Sequence, residues 1–326
     1  MSLPRVLLVG SNGLLGQKVA ELFLRASASA VSCASIEAAP VRTLHSVQYL
    51  TLDVTSRKDV RRVVAQCEPE VIINCAAMTN VDACEREREL AWKINVGGVE
   101  HLVEAAQRYR SKIVHISSDY VFDGTRGPYA EGDRPEPINY YGKTKLASEN
   151  VLRTSALPWV VIRTMVLYGY AEAVRPSFPL WVIEQLTRGG TLKIVDDQLG
   201  NPTLVDDLAF GVMKTVELEK QGLYHIAGRD ILSRYEFARI VARVFGFPSE
   251  GIVPVKTADI AQQATRPLRS GLVTLKAEVE LGIRPATAEE GLLVLKSQLS
   301  RFARRSPDRG PSPGHRPGRP AAGGNS

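Results

Sequence analysis

The chain has 326 residues, of which 44% are hydrophobic and 23% charged, a composition that is typical of a folded globular protein and excludes a disordered one. No run approaches the roughly 18 uninterrupted apolar residues of a membrane helix, and the N-terminal apolar run is broken by Arg5, unlike a signal peptide. The net charge of +6 comes mainly from residues 301–326, so the nearly neutral remainder predicts no nucleic-acid partner.

Short apolar runs alternate with helical periodicity through residues 1–165. Ser56, with Asp59 three residues later, predicts a capped helix. A long helical pattern runs over about 83–109, and a further helix is predicted over 141–153. This alternation is typical of βαβ units, so we predict an α/β fold with a Rossmann-type doubly wound parallel sheet. The predicted strands span 5–9, 30–34, 47–52, 71–75, 112–117 and 159–163.

Beyond residue 165 the predicted elements are shorter and less regular. Ser233 and Glu236 make a capping-box pattern at the start of a helix, and Gly246 is a typical helix stop. Residues 166–300 are therefore predicted to form a smaller substrate-binding lobe, with interleaving of the two parts left open. The other elements predicted here are helices over 178–187 and 205–217 and a strand over 192–195.

The last 26 residues, 301–326, are predicted to be a disordered basic tail. They contain six arginines against one aspartate, together with five prolines and five glycines. Such a segment buries too little apolar surface to offset the entropy lost on ordering.

The cysteines and histidines give no sign of a disulfide framework or of a protein-bound metal. No C-x-x-C spacing occurs, and the five histidines are scattered singly. This pattern predicts reduced thiols in a cytoplasmic protein without a zinc site. The four cysteines are Cys33, Cys67, Cys75 and Cys84.

A glycine-rich turn, G-x-x-G-x-x-G over residues 10–16, follows the first strand and opens a helix. Glycines there permit a tight turn and close approach of a pyrophosphate, whose charge suits a helix N-terminus. A turn that only packs the helix against the strand is the alternative. The strand–helix context favours a dinucleotide site.

Tyr141 and Lys145 are four residues apart and would project from one face of a helix. A tyrosine with a pKa near 10 is a poor acid–base catalyst at neutral pH, and we expect the nearby ammonium to lower that pKa. An exposed surface pair is the alternative, since this spacing alone is common.

Ser118 and Asp119 follow the fifth predicted strand, and ligands collect at the carboxyl ends of strands in open α/β sheets. A serine hydroxyl there can hydrogen bond to a substrate carbonyl and share the developing oxyanion with a tyrosine. The alternative is a capping serine. The three motifs follow one another in the expected order on the expected strands and helices. Together they are therefore stronger evidence for a functional site than any one of them alone.

The order of these motifs resembles the extended short-chain dehydrogenase/reductases, and within them the dTDP-4-dehydrorhamnose reductase family. The resemblance covers about residues 5–300. The regulatory β subunit of methionine adenosyltransferase, which has the same fold, is also similar. The matching stretches are INCAAMTNVDACE (73–85), INVGG (94–98), VHISSDYVFDG (114–124), PINYYGKTKLASE (137–149), RTMVLYG (163–169), DQLGNPT (197–203), GLYHIAG (222–228) and RP (266–267).

The resemblance implies roles for individual positions. Ser118, Tyr141 and Lys145 would be the catalytic triad. The cofactor-binding set would be Gly10, Ser11, Asn12, Gly13, Leu14, Gly16, Asp53, Val54, Ala76, Ala77, Thr79, Asn95, Tyr141 and Lys145. The substrate-binding set would be Thr79, Val81, Ser118, Asp119, Val166, Gln198 and Pro202, with Asp197 shaping the same pocket.

The activity that the resemblance implies is reduction of the C4 ketone of a nucleotide-linked 4-dehydro-6-deoxysugar, a step of dTDP-rhamnose biosynthesis. Val166 stands where the family often has a tryptophan beside the sugar, which leaves the sugar open. The second carboxylate that dehydratases need after Ser118-Asp119 is missing. A non-catalytic NADP-binding regulatory subunit and a sugar-nucleotide epimerase stay as alternatives.

The cofactor expected from the second strand is NADPH, with NADH as the alternative. NAD-preferring Rossmann proteins usually place an acidic residue at the end of that strand. Here Cys33-Ala34-Ser35 stands in that place and Arg42 follows, although Glu37 lies between them. A dependence on Mg²⁺ and a homodimer are left open.

Overall fold

The computed structural model describes residues 4–26, 31–42 and 47–305. Its strands are β1 (Val6–Val9), β2 (Val31–Ser35), β3 (Gln48–Thr51), β4 (Val71–Asn74), β5 (Lys112–Ser118), β6 (Trp159–Thr164), β7 (Leu167–Tyr168), β8 (Leu192–Val195), β9 (Leu199–Gly200), β10 (Thr203–Leu204), β11 (Gly222–His225), β12 (Leu232–Ser233) and β13 (Ile252–Val255). Its α-helices are α1 (Leu14–Ala26), α2 (Arg57–Cys67), α3 (Val81–Arg86), α4 (Arg88–Trp92), α5 (Gly98–Gln107), α6 (Tyr140–Arg153), α7 (Phe178–Arg188), α8 (Val205–Glu217), α9 (Arg234–Phe245), α10 (Leu275–Leu281) and α11 (Ala288–Arg305).

Seven parallel strands form the central sheet, in the order β11-β6-β5-β4-β1-β2-β3. All four residues of β1 are buried, as expected where helices cover both faces of a sheet. The direction of the strand order changes beside β1, so the loops after β1 and β4 diverge and leave a crevice at the carboxyl edge. The predicted α/β class and doubly wound sheet are confirmed.

Helices cover both faces of the sheet and bury its apolar side chains. One face packs against α1, α8 and α10, through residues such as Phe23 and Leu208. The opposite face packs against α2, α5 and α6, through residues such as Val64 and Leu102. The sheet edge that carries the predicted site is thus held between two packed layers.

The segment after residue 165 both extends the central sheet and builds a smaller layer. Strand β11 pairs with β6 in parallel, and α8 packs on the same sheet face as α1. Helices α7, α9 and α11 share a separate apolar cluster with β8, which includes Val182, Phe237 and Leu292. The two parts of the chain therefore interleave, and a functional division at residue 165 stays a prediction.

The long helical pattern predicted over 83–109 is largely confirmed, but it is not one continuous α-helix. Glu87 leaves the helical region with φ −113° and ψ 51°, so α3 ends there and α4 begins. A π-helical turn, Lys93–Gly97, then precedes α5. Apolar periodicity alone misses these breaks, because α3, α4 and α5 succeed one another with almost no intervening residues.

The predicted start of the tail at residue 301 is wrong, because α11 continues through Arg305. The ring of Phe302 packs on that of Tyr170, with centroids 5.0 Å apart, which extends the apolar face of the helix. Residues 306–326 lie outside the described residues. Across the described ranges, no helix has the length and apolar character needed to cross a bilayer. The four cysteines are free thiols.

Candidate active site

The glycine turn between β1 and α1 is folded tightly against the neighbouring strands. The backbone N–H groups of Gly10 and Ser11 both donate to the carbonyl of Ala34, at 2.8 and 3.1 Å. Gly10 has φ +78°, and a Cβ there would lie 2.7 Å from the backbone nitrogen of Ala76. These contacts explain why the first glycine is needed, independently of any ligand.

Gly13 differs from the glycines beside it, because it is exposed at the N-terminus of α1. A Cβ on Gly16 would clash with the carbonyl oxygen of Gly10 at 2.2 Å, whereas one on Gly13 would meet only that oxygen, at 3.4 Å. The open backbone at Gly13 and the helix N-terminus behind it fit an anionic pyrophosphate. Leu14, the first residue of α1, is half-buried beside it.

The side chain of Asn12 is directed at the segment after β2. Its Nδ2 donates to the Glu37 carboxylate at 3.0 Å, and its Oδ1 accepts from the Val41 N–H at 3.1 Å. Because both ends of the amide are engaged, a contact of Asn12 with pyrophosphate would come from its backbone. Ser11 is buried under the turn.

Asp53 and Val54 follow β3 and support the start of α2. The carboxylate of Asp53 accepts from the N–H and the hydroxyl of Thr55, each at 2.8 Å. Val54 is buried in the core, and its carbonyl lies 2.9 Å from Nδ1 of His101. Both residues lie near the carboxyl edge of the sheet, and the family resemblance implies that they approach the adenine of the cofactor.

The segment after β4 carries three more predicted cofactor residues, and a fourth, Asn95, contacts this segment from the π-helical turn. Ala76 and Ala77 are half-buried and Thr79 is exposed. Asn95 is buried, accepts from the Met78 N–H at 2.8 Å and donates to the Met78 carbonyl at 3.1 Å. The Asn95 side chain thus holds this segment in place, a role that sequence reasoning missed.

The predicted catalytic side chains come together between β5 and α6. Asn139 caps α6 by accepting from the Gly142 N–H at 2.8 Å, and Tyr141 and Lys145 are buried one turn apart on this helix. The Ser118 hydroxyl, at the end of β5, lies close enough to the Tyr141 phenol to influence its pKa. The spacing of the motifs therefore corresponds to a real juxtaposition.

The expected lowering of the Tyr141 pKa is wrong in this structure. Burial raises the pKa of the phenol above its usual value, and the hydrogen bond with Ser118 only partly opposes this. Burial also lowers the pKa of the Lys145 ammonium, to about 8. The nitrogen of Lys145 lies 3.4 Å from Nε2 of the buried His115.

Asp119 is a buried carboxylate in direct contact with Ser118. The Ser118 hydroxyl donates to its Oδ1 at 2.9 Å, and the Ser270 hydroxyl donates to its Oδ2 at 2.6 Å. Burial raises the pKa of Asp119 from 3.8 to about 6, against the lowering effect of both hydrogen bonds and of Arg234. The carboxyl group next to the catalytic serine therefore titrates close to neutral pH.

Replacing Asp119 by Asn should change how stability depends on pH. Between about pH 4 and pH 6 the native carboxyl binds a proton that the unfolded chain has lost, so the wild type loses stability as the pH rises. The Asn variant does not lose stability in this way. Relative to the wild type, its free energy of unfolding should therefore rise by up to about 3 kcal/mol across that window. Denaturant unfolding of both proteins at pH 4 and pH 7 measures the difference, and parallel pH profiles would contradict it.

A cavity that is open to solvent lies beside these groups. Four of the predicted substrate residues line it: Asp119, Val166, Gln198 and Pro202. Thr79 is exposed elsewhere, and Val81 packs against the cluster around Tyr141 and Cys84. Asp197 shapes the wall indirectly, since its carboxylate accepts from the N–H and hydroxyl of Thr257.

Val166 lines this cavity with φ 46°, in the left-handed region that β-branched residues avoid. Holding such a backbone costs about 1–3 kcal/mol, and strain of this kind concentrates at functional sites. The position that sequence comparison marks as a departure from the family is therefore also conformationally unusual.

Arg234, Ser270 and Tyr120 also line the cavity, and sequence reasoning missed them. For Arg234 a signal existed, because it is the first residue of α9, where a positive charge opposes the helix dipole. In the structure the Asp119 carboxylate attracts Arg234, which opposes the unfavourable position of this charge at the helix N-terminus. The Arg234 guanidinium also lies 5.3 Å from the centre of the Phe178 ring. Among the described residues, no group of three or more His, Cys, Asp or Glu side chains is arranged to hold a metal ion.

Comparisons with known proteins agree with this arrangement. The chain matches the family described as "RmlD substrate binding domain" over residues 4–300. It is 32% identical over 303 residues to a dTDP-4-dehydrorhamnose reductase of Aggregatibacter actinomycetemcomitans, covering 89% of this chain and 97% of that protein. It is also 32% identical over 289 residues to the methionine adenosyltransferase 2 subunit beta of Rattus norvegicus, covering 87% and 84%.

A solved structure is similar throughout. The dTDP-4-dehydrorhamnose reductase of Bacillus anthracis str. Ames, determined in complex with NADP, superposes with a TM-score of 0.78 at 30% identity. The match covers 90% of this chain and 99% of that one. Fold, motif order and overall similarity therefore agree, and the chain belongs to the RmlD substrate-binding domain family.

Proposed function

We propose that this chain, an NAD(P)H-dependent oxidoreductase, reduces the C4 ketone of a nucleotide-linked 4-dehydro-6-deoxysugar, most specifically dTDP-4-dehydro-β-L-rhamnose. The observation that carries the proposal is that Ser118, Tyr141 and Lys145 are buried together between β5 and α6, beside a cleft lined by Asp119 and Gln198. The similarity to a dTDP-4-dehydrorhamnose reductase over nearly its whole length supports the substrate class.

Each side chain has a distinct task in this proposal. When bound, a nicotinamide dinucleotide supplies the hydride. The turn at Gly13 and the N-terminus of α1 would hold its pyrophosphate, and Lys145 its nicotinamide ribose. Tyr141 holds the proton that the ketone oxygen must receive. Ser118 orients that oxygen by hydrogen bonding.

The test is direct. Purified chain is mixed with NADH or NADPH and dTDP-4-dehydro-β-L-rhamnose, and the loss of reduced-nicotinamide absorbance is followed. Formation of the 4-hydroxy product, identified by mass spectrometry, is the expected result. Cofactor binding without oxidation would contradict the reductase proposal.

The similarity to the rat methionine adenosyltransferase subunit supports a second candidate, a non-catalytic regulatory subunit. The Ser118, Tyr141 and Lys145 set does not discriminate, because a regulatory relative can retain it. That candidate predicts tight dinucleotide binding, no turnover and co-purification with a catalytic partner. An epimerase would instead interconvert sugar isomers without net oxidation of the cofactor, which product analysis distinguishes.

Replacing Arg234 by Met should weaken binding of the nucleotide sugar. A guanidinium lining the cavity can neutralise the substrate diphosphate, and a hydrogen bond to a charged group contributes about 1.5–3 kcal/mol. The KM for the nucleotide sugar is expected to rise about 10- to 100-fold, with a smaller change in kcat. Steady-state kinetics measure both constants.

The matched control is Arg239→Met, since Arg239 is exposed on the same helix, over the ring of Tyr235. This control should leave KM near the wild-type value. Equal effects of the two substitutions would show that the substrate's charge is bound elsewhere.

A further inference from the structure

The end of β2 places a carboxylate beside the glycine turn. Glu37 follows the last residue of β2, Ser35, by two positions, and its Oε2 accepts from Nδ2 of Asn12 at 3.0 Å. It also lies 21 residues beyond Gly16, close to the spacing of about 20 at which Rossmann proteins place the acid that binds the adenosine ribose.

The segment that carries Glu37 is held in this position by several bonds. Nδ2 of Asn12 also donates to the Ala39 carbonyl at 3.1 Å, and the Val41 N–H donates back to Asn12 at 3.1 Å. The hydroxyl of Tyr49 donates to the Glu37 carbonyl at 2.8 Å. The carboxylate is therefore anchored to the glycine turn rather than directed away from it.

Glu37 is ionised at neutral pH. Burial would raise the pKa of its carboxyl, but hydrogen bonds from Ser35, its own backbone and Asn12 outweigh burial and hold that pKa below its usual value. A carboxylate has about four acceptor sites, so it keeps capacity for ribose hydroxyls besides the bond from Asn12.

Arg42, the basic residue that the sequence offers for a 2′-phosphate, lines the cleft beside Ser11 and Asn12, but an acidic residue of α1 lies next to it. The guanidinium of Arg42 lies 3.9 Å from the Glu21 carboxylate on α1. A 2′-phosphate carries a charge of about −1.5 to −2 at neutral pH and would lie against the Glu37 carboxylate, whereas a 2′-hydroxyl would donate to it.

We propose that Glu37 makes this chain prefer NADH to NADPH, because its anchored carboxylate accepts from the ribose 2′-hydroxyl and repels a 2′-phosphate. The proposal rests on one part of the proposed function, namely that the glycine turn holds a nicotinamide dinucleotide. It reverses the NADPH preference expected from the sequence, and it sets this chain apart from the relative solved with NADP.

Dissociation constants of NADH and NADPH for the full chain, measured by nicotinamide fluorescence and calorimetry without substrate, test the proposal. The wild type is expected to bind NADH at least about tenfold more tightly. Glu37→Gln should tighten NADPH and bring the two constants close together, and Glu37→Arg should reverse the preference. Glu184→Gln, the same change at an exposed residue of α7, should leave the ratio unaltered.

Equal or tighter binding of NADPH by the wild type would overturn the NADH preference and leave the reductase proposal intact. A tenfold ratio that persists in Glu37→Gln would likewise overturn the role of Glu37. NADH-selective binding without ketone reduction would support the preference and remove the proposed function, so the two failures are distinguishable.

Discussion

Tyr141→Phe is expected to slow ketone reduction by on the order of 100-fold or more, the usual scale for loss of a general acid. The ring of Tyr141 packs edge-on against that of Tyr120, at 5.6 Å between centroids, and phenylalanine keeps this packing. The phenol proton is what the variant loses, so hydride transfer would develop charge on a ketone oxygen with no acid beside it.

Single-turnover kinetics with saturating cofactor would measure the chemical step directly, and the dissociation constant of the cofactor should change little. Tyr140→Phe is the matched control, because the neighbouring ring faces the guanidinium of Arg88 at 5.2 Å and is not part of the catalytic set. That control should keep near wild-type rates. A Tyr141→Phe variant that retained them would remove Tyr141 from the role of acid.

Glu149→Leu is expected to cost about 3–5 kcal/mol of unfolding free energy, the range found when one partner of a buried ion pair is removed. Glu149 and Arg163 are both fully buried, and the guanidinium donates to the carboxylate at 2.8 and 2.7 Å. The hydroxyl of Ser117 donates to the same carboxylate at 2.6 Å. Leucine would leave the arginine charge in the core with no counter-charge.

Combining Glu149→Leu with Arg163→Met should restore a large part of the lost stability, since the double variant no longer buries the guanidinium of Arg163 without a counter-charge. Glu184→Leu provides the surface comparison, because Glu184 pairs with Arg188 in solvent and such pairs contribute about 0.3–0.5 kcal/mol. Chemical denaturation of these three variants and the wild type gives the values. A double variant no more stable than Glu149→Leu would show that the charge is not the cause.

Local patterns were sufficient for much of the fold. The run Val6–Val9 predicts a strand buried on both faces, and the capping pattern of Ser233 with Glu236 predicts where α9 begins. Both are confirmed, because strand burial and helix capping depend on residues close together in the chain. The placement of Ser118 near Tyr141 also follows from the sequence, since β5 and α6 belong to one βαβ unit.

Those local patterns could not predict the contacts between distant segments of the chain. Strand β11 joins the central sheet although its sequence lies in the second part of the chain, and Asn95 breaks the helical register predicted over 83–109 to reach Met78. Apolar periodicity reports which side of an element is buried but not against which other element. Pairing partners and interruptions of this kind are decided by packing.

The amino-acid sequence by itself determined the α/β class, the glycine turn and the spacing of the catalytic set, because each depends on backbone geometry or periodicity over a few residues. The tertiary structure alone decided that Arg234 lines the same cavity as Asp119, that Glu37 is anchored to Asn12 and that burial raises the pKa of the Tyr141 phenol. Charge and proton affinity depend on desolvation and on neighbours from remote elements, and both exist only once the chain has packed.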